Sequence, residues 1–475
     1  MKKYLATLVL ITLISTTGSG CLKKDQTTTT KTENIELTMY GLFDDSTIFQ
    51  PIIQAYESEH TNVKITYKQF TDPSSYLDLV INELAEGEGP DIFAMHNSWI
   101  YEHYKKVNPM DSSLMTAQEL EDTFVQTVSD DFLRTYTDAE GNSVTAIYGL
   151  PLYVDTIALY YNQDQFEDAI PSRGEPSTTW EGIKDDVFKL TKTDNSFERF
   201  EQAGIAMGRS DNILRFVDIL YTLFLQYGTQ FYDDEYKTST ITSTEVSSTS
   251  GVVSPGKEAL DLFTSFGIPS NKNYSWNEYI SDPLSEEQEM MAFVEGKASM
   301  ILGYSYLYEQ LVNLIETEQK KGTSTIDADT IKITDVPQVY DPETSTEKRD
   351  VYASYFAYTV SRTSEYPDEA WDFLEFLTSA ENEQYYFEET HRPSSRRDLL
   401  EEQMKDPVYG VFAKQVGFAE TIPIADAEKY EEIFKEAISS VLATVKVETA
   451  LSTAEEQINA IMPTDGLFPN ILAEE

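Results

Sequence analysis

The side chains that could do chemistry in this chain sit at breaks in apolar runs. Residues 146–162 read A-I-Y-G-L-P-L-Y-V-D-T-I-A-L-Y-Y-N, two strand-like pieces with Pro151 and Asp155 between them. Proline has no ladder donor and fixes its own φ, so a chain leaving one sheet to enter another fits better than one central strand. Such a crossing lies on the floor of a cleft between two lobes, which makes Tyr153 and Asp155 candidate ligand contacts. A hairpin or edge strand with a solvated aspartate is the alternative. Other polar loops follow strand-like runs in the same way: 43–46 with Asp44 and Asp45, and 96–99 with Asn97 and Trp99. Farther along come the aromatic knot Tyr274-Ser275-Trp276-Asn277, the run Gly303-Tyr304-Ser305-Tyr306, Tyr355 within a β-like stretch, and the cluster Thr390-His391-Arg392-Pro393.

Covalent and metal chemistry lack their signatures. There is no G-x-S-x-G elbow, no H-E-x-x-H and no phosphate-cradling glycine loop, and His60, His96, His103 and His391 are never paired at i, i+4. Cys21 is the sole cysteine, which excludes an internal disulfide and a cysteine zinc site. No cofactor or metal is expected. The net charge is −47, from 82 acidic and 35 basic residues. That excess repels nucleic-acid phosphates and anionic headgroups, leaving neutral or cationic ligands as the compatible readings. With so many acids, a pair of carboxylates is no argument for a glycoside hydrolase.

The elements that must position these groups read as α/β. Residues 35–40 and 63–70 alternate as strands, 48–56 and 76–84 show helical spacing with Asp45 or Ser46 as a cap, and 90–95 is a short buried strand. Strand–helix alternation signals a parallel sheet, whose ligands bind beyond the carboxyl ends of strands. Later helices are expected at 180–191, 212–227, 257–266, 286–295, 367–378 and within 430–461, with strands at 203–208, 298–302 and 350–360. The polar segment 231–255, rich in Ser and Thr over 238–250, reads as a solvated loop. At 475 residues the chain is too long for one core, and two large lobes are expected.

The N-terminus has a basic start, an apolar run over 4–14 and small residues up to Cys21, the pattern of a secretory signal over 1–20. Gly18-Ser19-Gly20-Cys21 resembles a bacterial lipoprotein box, with Gly18 where leucine is usual. Cys21 would then be the lipid anchor and 21–34 a flexible tether to the membrane.

Five segments together resemble the family 1 extracellular solute-binding proteins, the receptors of ABC importers typified by sugar binders. They are Gly89-Pro90-Asp91-Ile92-Phe93, residues 149–162, Trp180 opening a helix before Leu190-Thr191, residues 292–300, and residues 370–379. The resemblance spans roughly 35–462. It implies a two-lobe periplasmic-binding-protein-like fold (type II), with discontinuous lobes joined by hinge crossings near 151–156, 302–305 and 352–356. Lobe 1 is then expected at 35–152 plus 304–352, and lobe 2 at 156–301 plus 356–470. It also implies a monomer that captures a small solute, a sugar and first of all an oligosaccharide, and passes it to ABC permease subunits. A sugar presents hydroxyls and C–H faces. Asp44, Asp45, Asn97, Asp155 and Arg392 suit the hydroxyls, and Trp99, Tyr153, Trp276, Tyr304 and Tyr355 suit the faces. The competing expectations are a secreted glycoside hydrolase and a non-catalytic adhesion lipoprotein.

Overall fold

The computed structural model describes residues 34–472 apart from 138–140, 195–198, 248–250, 281–287, 343–348 and 468–470. Cys21, the signal segment and most of the tether lie outside the described residues.

The first sheet starts from strands Ile35–Leu42, Val63–Phe70 and Ile92–His96, paired in parallel with the first of them central. Parallel pairing requires helical crossovers, and Ser46–Glu59 and Pro73–Glu86 supply them. Asp45 starts the first helix by accepting the Thr47 N–H at 2.9 Å. Phe49, Ile52, Ile53 and Tyr56 form its buried face, a helical spacing read directly from the sequence. Asp72 and Pro73 open the second helix, and Gly87 closes it in the left-handed conformation at φ 80°. Phe356–Val360 then pairs antiparallel with Ile92–His96, and Leu150–Pro151 pairs with Phe356–Val360 to form the other edge.

Four residues beyond that edge the chain joins different sheets. Asp155–Thr156 pairs with Val351–Ser354, which also pairs with Ala419–Glu420. Ala158–Asn162 is flanked by Met300–Gly303 and Ile331–Thr334, both antiparallel. The switch at Pro151 and Asp155 is thus real. The return switch lies at Tyr355, between Val351–Ser354 and Phe356–Val360, so the expected single run over 350–360 is two strands in two sheets.

Two expectations about chain tracing need correcting. Segment 304–352, expected with the first lobe, contains Ile331–Thr334 and therefore belongs with the Ala158–Asn162 sheet. No crossing occurs at 302–305. Segment 356–470 does not stay with the second sheet either, because Phe356–Val360 lies in the first and helices Pro367–Leu377 and Ala380–Thr390 pack on Ser46–Glu59. The third pass runs instead beside Pro151: the Val154 N–H donates to the Pro393 carbonyl at 3.0 Å, and Ser395 Oγ donates to the Pro151 carbonyl at 2.7 Å.

Around the second sheet pack Trp180–Leu190, Phe216–Gln226, Pro255–Ser265, Ala427–Leu442 and Val447–Ile461. The strand expected at 203–208 is reduced to a bridge at Ala203. The Ser/Thr-rich segment is not merely solvated. Ile241 is buried, and Thr242 donates through N and Oγ1 to Glu455, each at 2.8 Å. Beyond it, Glu245–Ser247 pairs with Gly251–Val253.

Candidate functional site

The strand Ile35–Leu42 ends at Phe43, whose φ of 72° is left-handed, a conformation that costs a non-glycine residue. Phe43 N–H donates to the Phe70 carbonyl at 2.7 Å, and Gln69 Nε2 donates to the Phe43 carbonyl at 2.9 Å. These bonds hold the turn and leave the ring 42% exposed. It lies edge-on to Phe356 at 6.0 Å. Phe356 is in turn edge-on to Trp99 at 5.5 Å and to His96 at 4.9 Å. These rings come from the carboxyl ends of two parallel strands and the start of the strand that follows the return switch. They form one aromatic wall.

His96 Nδ1 lies 2.7 Å from Ser98 Oγ and 3.2 Å from the Ser98 backbone nitrogen, and Nε2 lies 2.9 Å from Ser354 Oγ. Burial, reinforced by the charge of Arg215, lowers the imidazole to about 3, so the ring is neutral.

A second cluster unites three residues singled out from the sequence. Asp44 accepts from Arg392 Nη1 and from Tyr386 Oη, each at 2.7 Å. The guanidinium lies 4.9 Å from the centre of the Tyr153 ring, which stacks on Tyr386 at 5.8 Å. Tyr386 was missed in the sequence, where it is one tyrosine among 30 in a helix with a weakly apolar face. Asp44 and Arg392 neutralise one another, as a buried pair must.

The opposite wall follows Met300–Gly303. Tyr304 and Tyr306 stack at 5.9 Å, and Arg215 lies 5.6 and 5.9 Å from their ring centres, donating from Nη2 to Tyr306 Oη at 2.6 Å. Asp218 lies one helical turn after Arg215 and is buried; burial raises its pKa and the charge of Arg215 opposes that rise. Arg215, Gly303, Tyr304, Tyr306 and Gln310 line a cavity of about 140 Å³. The Tyr306 phenol also feels the charge of Asp155, which brings this wall to the crossing.

The remaining predicted contacts fall elsewhere. Asp45 is spent as a helix cap. Asn97 is buried and exchanges backbone and side-chain bonds with Tyr355 at the return switch. Tyr355, expected as a platform, is fully enclosed and donates to Asp131 Oδ2 at 2.7 Å. Trp276, the other expected platform, has no exposed surface at all and donates from Nε1 to Asn212 Oδ1 at 2.8 Å. Neither ring has a face to offer a solute. Asp155 is 2% exposed and spends its carboxylate on Ser305 N (3.1 Å), Ser305 Oγ (2.7 Å) and Thr156 N (2.9 Å). It ties the crossing to the residues after Met300–Gly303, and burial lifts its pKa to about 6 against these donors.

The family model for bacterial extracellular solute-binding proteins matches residues 40–384. A binding protein of Brucella abortus is 22% identical over 332 residues, 69% of this chain and 68% of its own length. Among solved structures, the sugar-binding protein MalE of Xanthomonas citri aligns with a TM-score of 0.68 at 14% identity, covering 90% of this chain and 97% of its own. A solute-binding protein of an ABC transporter from Thermotoga lettingae, bound to α-D-tagatose, aligns with a TM-score of 0.61 at 20% identity, covering 90% and 99%. A cyclo/maltodextrin-binding protein complexed with maltotetraose aligns at 0.65 and 16%, covering 90% and 96%. The fold is therefore the two-lobe α/β fold of those proteins, and the matched span is well over half of the sequence. This chain belongs to the bacterial extracellular solute-binding proteins.

Proposed function

We propose that this protein is the capture receptor of an ABC importer and that its solute is a carbohydrate, held in the cleft between two lobes without any bond being made or broken. The observation that carries this reading is the wall of Phe43, Phe356 and Trp99, where rings left partly open meet at strand ends next to the switches between sheets. Flat rings in a water-filled cleft suit the C–H faces of a sugar, and solved relatives of the same fold hold maltotetraose and tagatose. One lobe comprises the first sheet with its helices, and the other the sheets of Ala158–Asn162 and Asp155–Thr156. Passes at 151–156, 354–356 and 393–396 form the hinge. Trp99 is retained as a contact, with Phe43, Phe356 and Tyr306 added to it, while Tyr304 is 2% exposed and backs Tyr306.

The closed form would present both lobe rims to the permease, and lipid on Cys21 would hold the receptor at the membrane. No helix among the described residues is long and apolar enough to cross a membrane. A Cys21→Ala variant should appear in the medium; retention with the membrane fraction would remove the anchor. For the receptor itself, the intact protein is screened by thermal shift against neutral and acidic saccharides, followed by small-angle scattering. A saccharide that raises the melting temperature, shortens the radius of gyration and is recovered unaltered supports capture by closure. Binding with an unchanged scattering profile would eliminate the hinge mechanism. A turned-over saccharide would make the protein an enzyme.

A further inference from the structure

Two of the chain passes between the sheets meet at a carboxyl group that the cleft does not use. Ser395 Oγ lies 2.7 Å from the Pro151 carbonyl and 3.0 Å from Glu383 Oε1, while Ser394 Oγ bonds Glu383 Oε2. Those three links have two serine hydroxyl hydrogens between them. A carbonyl can only accept, and so can an ionised carboxylate, so Ser395 with its single hydrogen cannot donate fully to both. Without a further proton, one of its two contacts sets acceptor against acceptor. Ser394 cannot make good the difference, because its hydroxyl serves the other carboxyl oxygen and accepts the Arg396 N–H at 3.0 Å.

The surroundings give an ionised Glu383 nothing to balance it. Glu383, Ser394 and Ser395 have no exposed surface, and no ion pair among the described residues includes Glu383. Arg396 acts on it through space, but that guanidinium is forked onto Asp398 at 3.0 and 3.1 Å and donates to the Thr378 carbonyl at 3.2 Å. Helix Arg397–Gln403 contributes the uncharged Gln403, which accepts the Ser394 N–H at 2.9 Å. On the helices packed against Ala380–Thr390, Asp372 acts on Tyr56 and Glu375, and Glu57 is paired with Lys64. A buried carboxylate with no cation is far costlier than a buried neutral acid. Burial accordingly drives the Glu383 carboxyl well above its ordinary range, against the opposing serine bonds and Arg396.

We infer that Glu383 is a positioning residue of the hinge: held as the neutral acid, it donates from Oε1 to Ser395 Oγ, which donates to the Pro151 carbonyl, and this relay seats the passes at Pro151 and Ser394–Ser395 on the first lobe. The Val154 N–H bond to the Pro393 carbonyl, at 3.0 Å, lies beside the relay, so the relay fixes where the crossing leaves that lobe. The role in closure rests on the hinge proposed above.

The test compares the intact protein with Glu383→Gln, whose amide reproduces the neutral acid, N–H toward Ser395 Oγ and oxygen toward Ser394 Oγ. The folded protein binds the Glu383 proton more tightly than the unfolded chain, so its contribution is full below 4.5 and is lost as pH rises toward the raised folded value. In urea unfolding between pH 5 and 7, the glutamine variant should gain on wild type by about tenfold in the folding equilibrium constant per pH unit. The infrared spectrum at pH 7 should lose one carboxylic-acid C=O band in the variant. Ser395→Ala, which cuts the relay in the middle, should speed hydrogen exchange at the Val154 amide at least tenfold while the amides of Ile35–Leu42 keep their rates. Parallel pH profiles, or an unchanged infrared band, would show an ionised Glu383 and overturn the inference. Val154 exchange indifferent to Ser395→Ala would overturn the positioning role; if that variant does not fold, the pH profile and the infrared band decide. None of these measurements contains a solute, so a failed saccharide screen would overturn the receptor reading and leave the Glu383 proton standing.

Discussion

Asp155 is the residue on which the sequence and the structure disagree most usefully. Its position at the crossing suggests a ligand contact, yet its carboxylate is wholly occupied by three donors within the protein. Replacing it with alanine strands two buried backbone N–H groups, those of Thr156 and Ser305, while the Ser305 hydroxyl is free to rotate. Each stranded donor costs about 1–3 kcal/mol, a gross loss of about 2–6 kcal/mol. Against this, the carboxyl is lifted from 3.8 to about 6 by burial. Removing that buried charge at pH 7 returns about 3 kcal/mol at most. With that return in full, the net expectation at neutral pH runs from a gain of about 1 kcal/mol to a loss of about 3 kcal/mol.

Asparagine makes the sharper comparison. Its oxygen can replace the one that takes the Thr156 N–H, and its amide can donate to Ser305 Oγ, so most of the bonding is kept while removal of the buried charge returns up to about 3 kcal/mol, and stability near pH 7 should rise. The sign of the pH effect follows from the raised pKa. The folded protein binds this proton more tightly than the unfolded chain, so the contribution of Asp155 to stability is full below 3.8 and is lost as pH rises through about 6. The difference between wild type and Asp155→Asn should therefore change by about 1.4 kcal/mol per pH unit between roughly 4 and 6 and be flat above. Urea unfolding of the ligand-free proteins at several pH values measures this, with calorimetric titration of any solute found. If Asp155→Ala unfolds like wild type while Asp155→Asn loses tenfold in affinity, the carboxylate faces the solute and the hinge account is wrong.

Three further outcomes can be checked independently. Trp276→Phe should cost about 1–3 kcal/mol of unfolding free energy by stranding Asn212 Oδ1, with solute affinity unchanged; the reverse pattern would restore the ring to the site. Phe43→Ala should weaken saccharide binding by on the order of 0.5–1.5 kcal/mol, read by titration, while ligand-free stability shifts little because the ring is already half open. The ring signals of His96 should stay constant in an NMR titration from pH 8 to 5, since burial and Arg215 hold its pKa near 3; a midpoint near 6.5 would show the ring solvated and the Ser354 bond broken.

What the sequence made legible was local. The Asp45 cap, the apolar face of Ser46–Glu59 and the sheet switch at Pro151 all follow from side-chain chemistry within a few residues. What it hid was long-range. Trp276 sits among Ser275 and Asn277, a context that suggests solvent, but its partner Asn212 comes from 64 residues away and makes burial affordable. Nothing local in segment 304–352 tells Ile331–Thr334 to pair with Ala158–Asn162. Phe43 carries no motif; only the bonds to Phe70 and Gln69 show that its backbone is turned to expose the ring. Arg215 was visible on its helix, yet its meaning depends on which carboxylates near it are already engaged.

That dependence also explains why capture and closure should be one event. The aromatic wall and Ser354 lie on the first sheet and the return switch, whereas Arg215, Tyr304 and Tyr306 lie with the second sheet, so a solute meets its full set of contacts only when the walls approach. Some of the contacts between protein groups on the two sides lie at exposed positions. Ser74 Oγ donates to Glu428 at 3.1 Å, and His391 stacks on Tyr409 at 4.3 Å with Glu309 3.7 Å away. Exposed pairs of this kind contribute about 0–1 kcal/mol each, too little to hold a two-lobe protein shut against the entropy of opening. The free energy that favours the closed form must then come from the solute, through its higher affinity for the arrangement in which both walls reach it, and moving the population from 1:99 to 99:1 takes about 5.5 kcal/mol of that difference. Contacts made to the two walls at once are of the right kind to supply it, because neither wall completes the set in the open form.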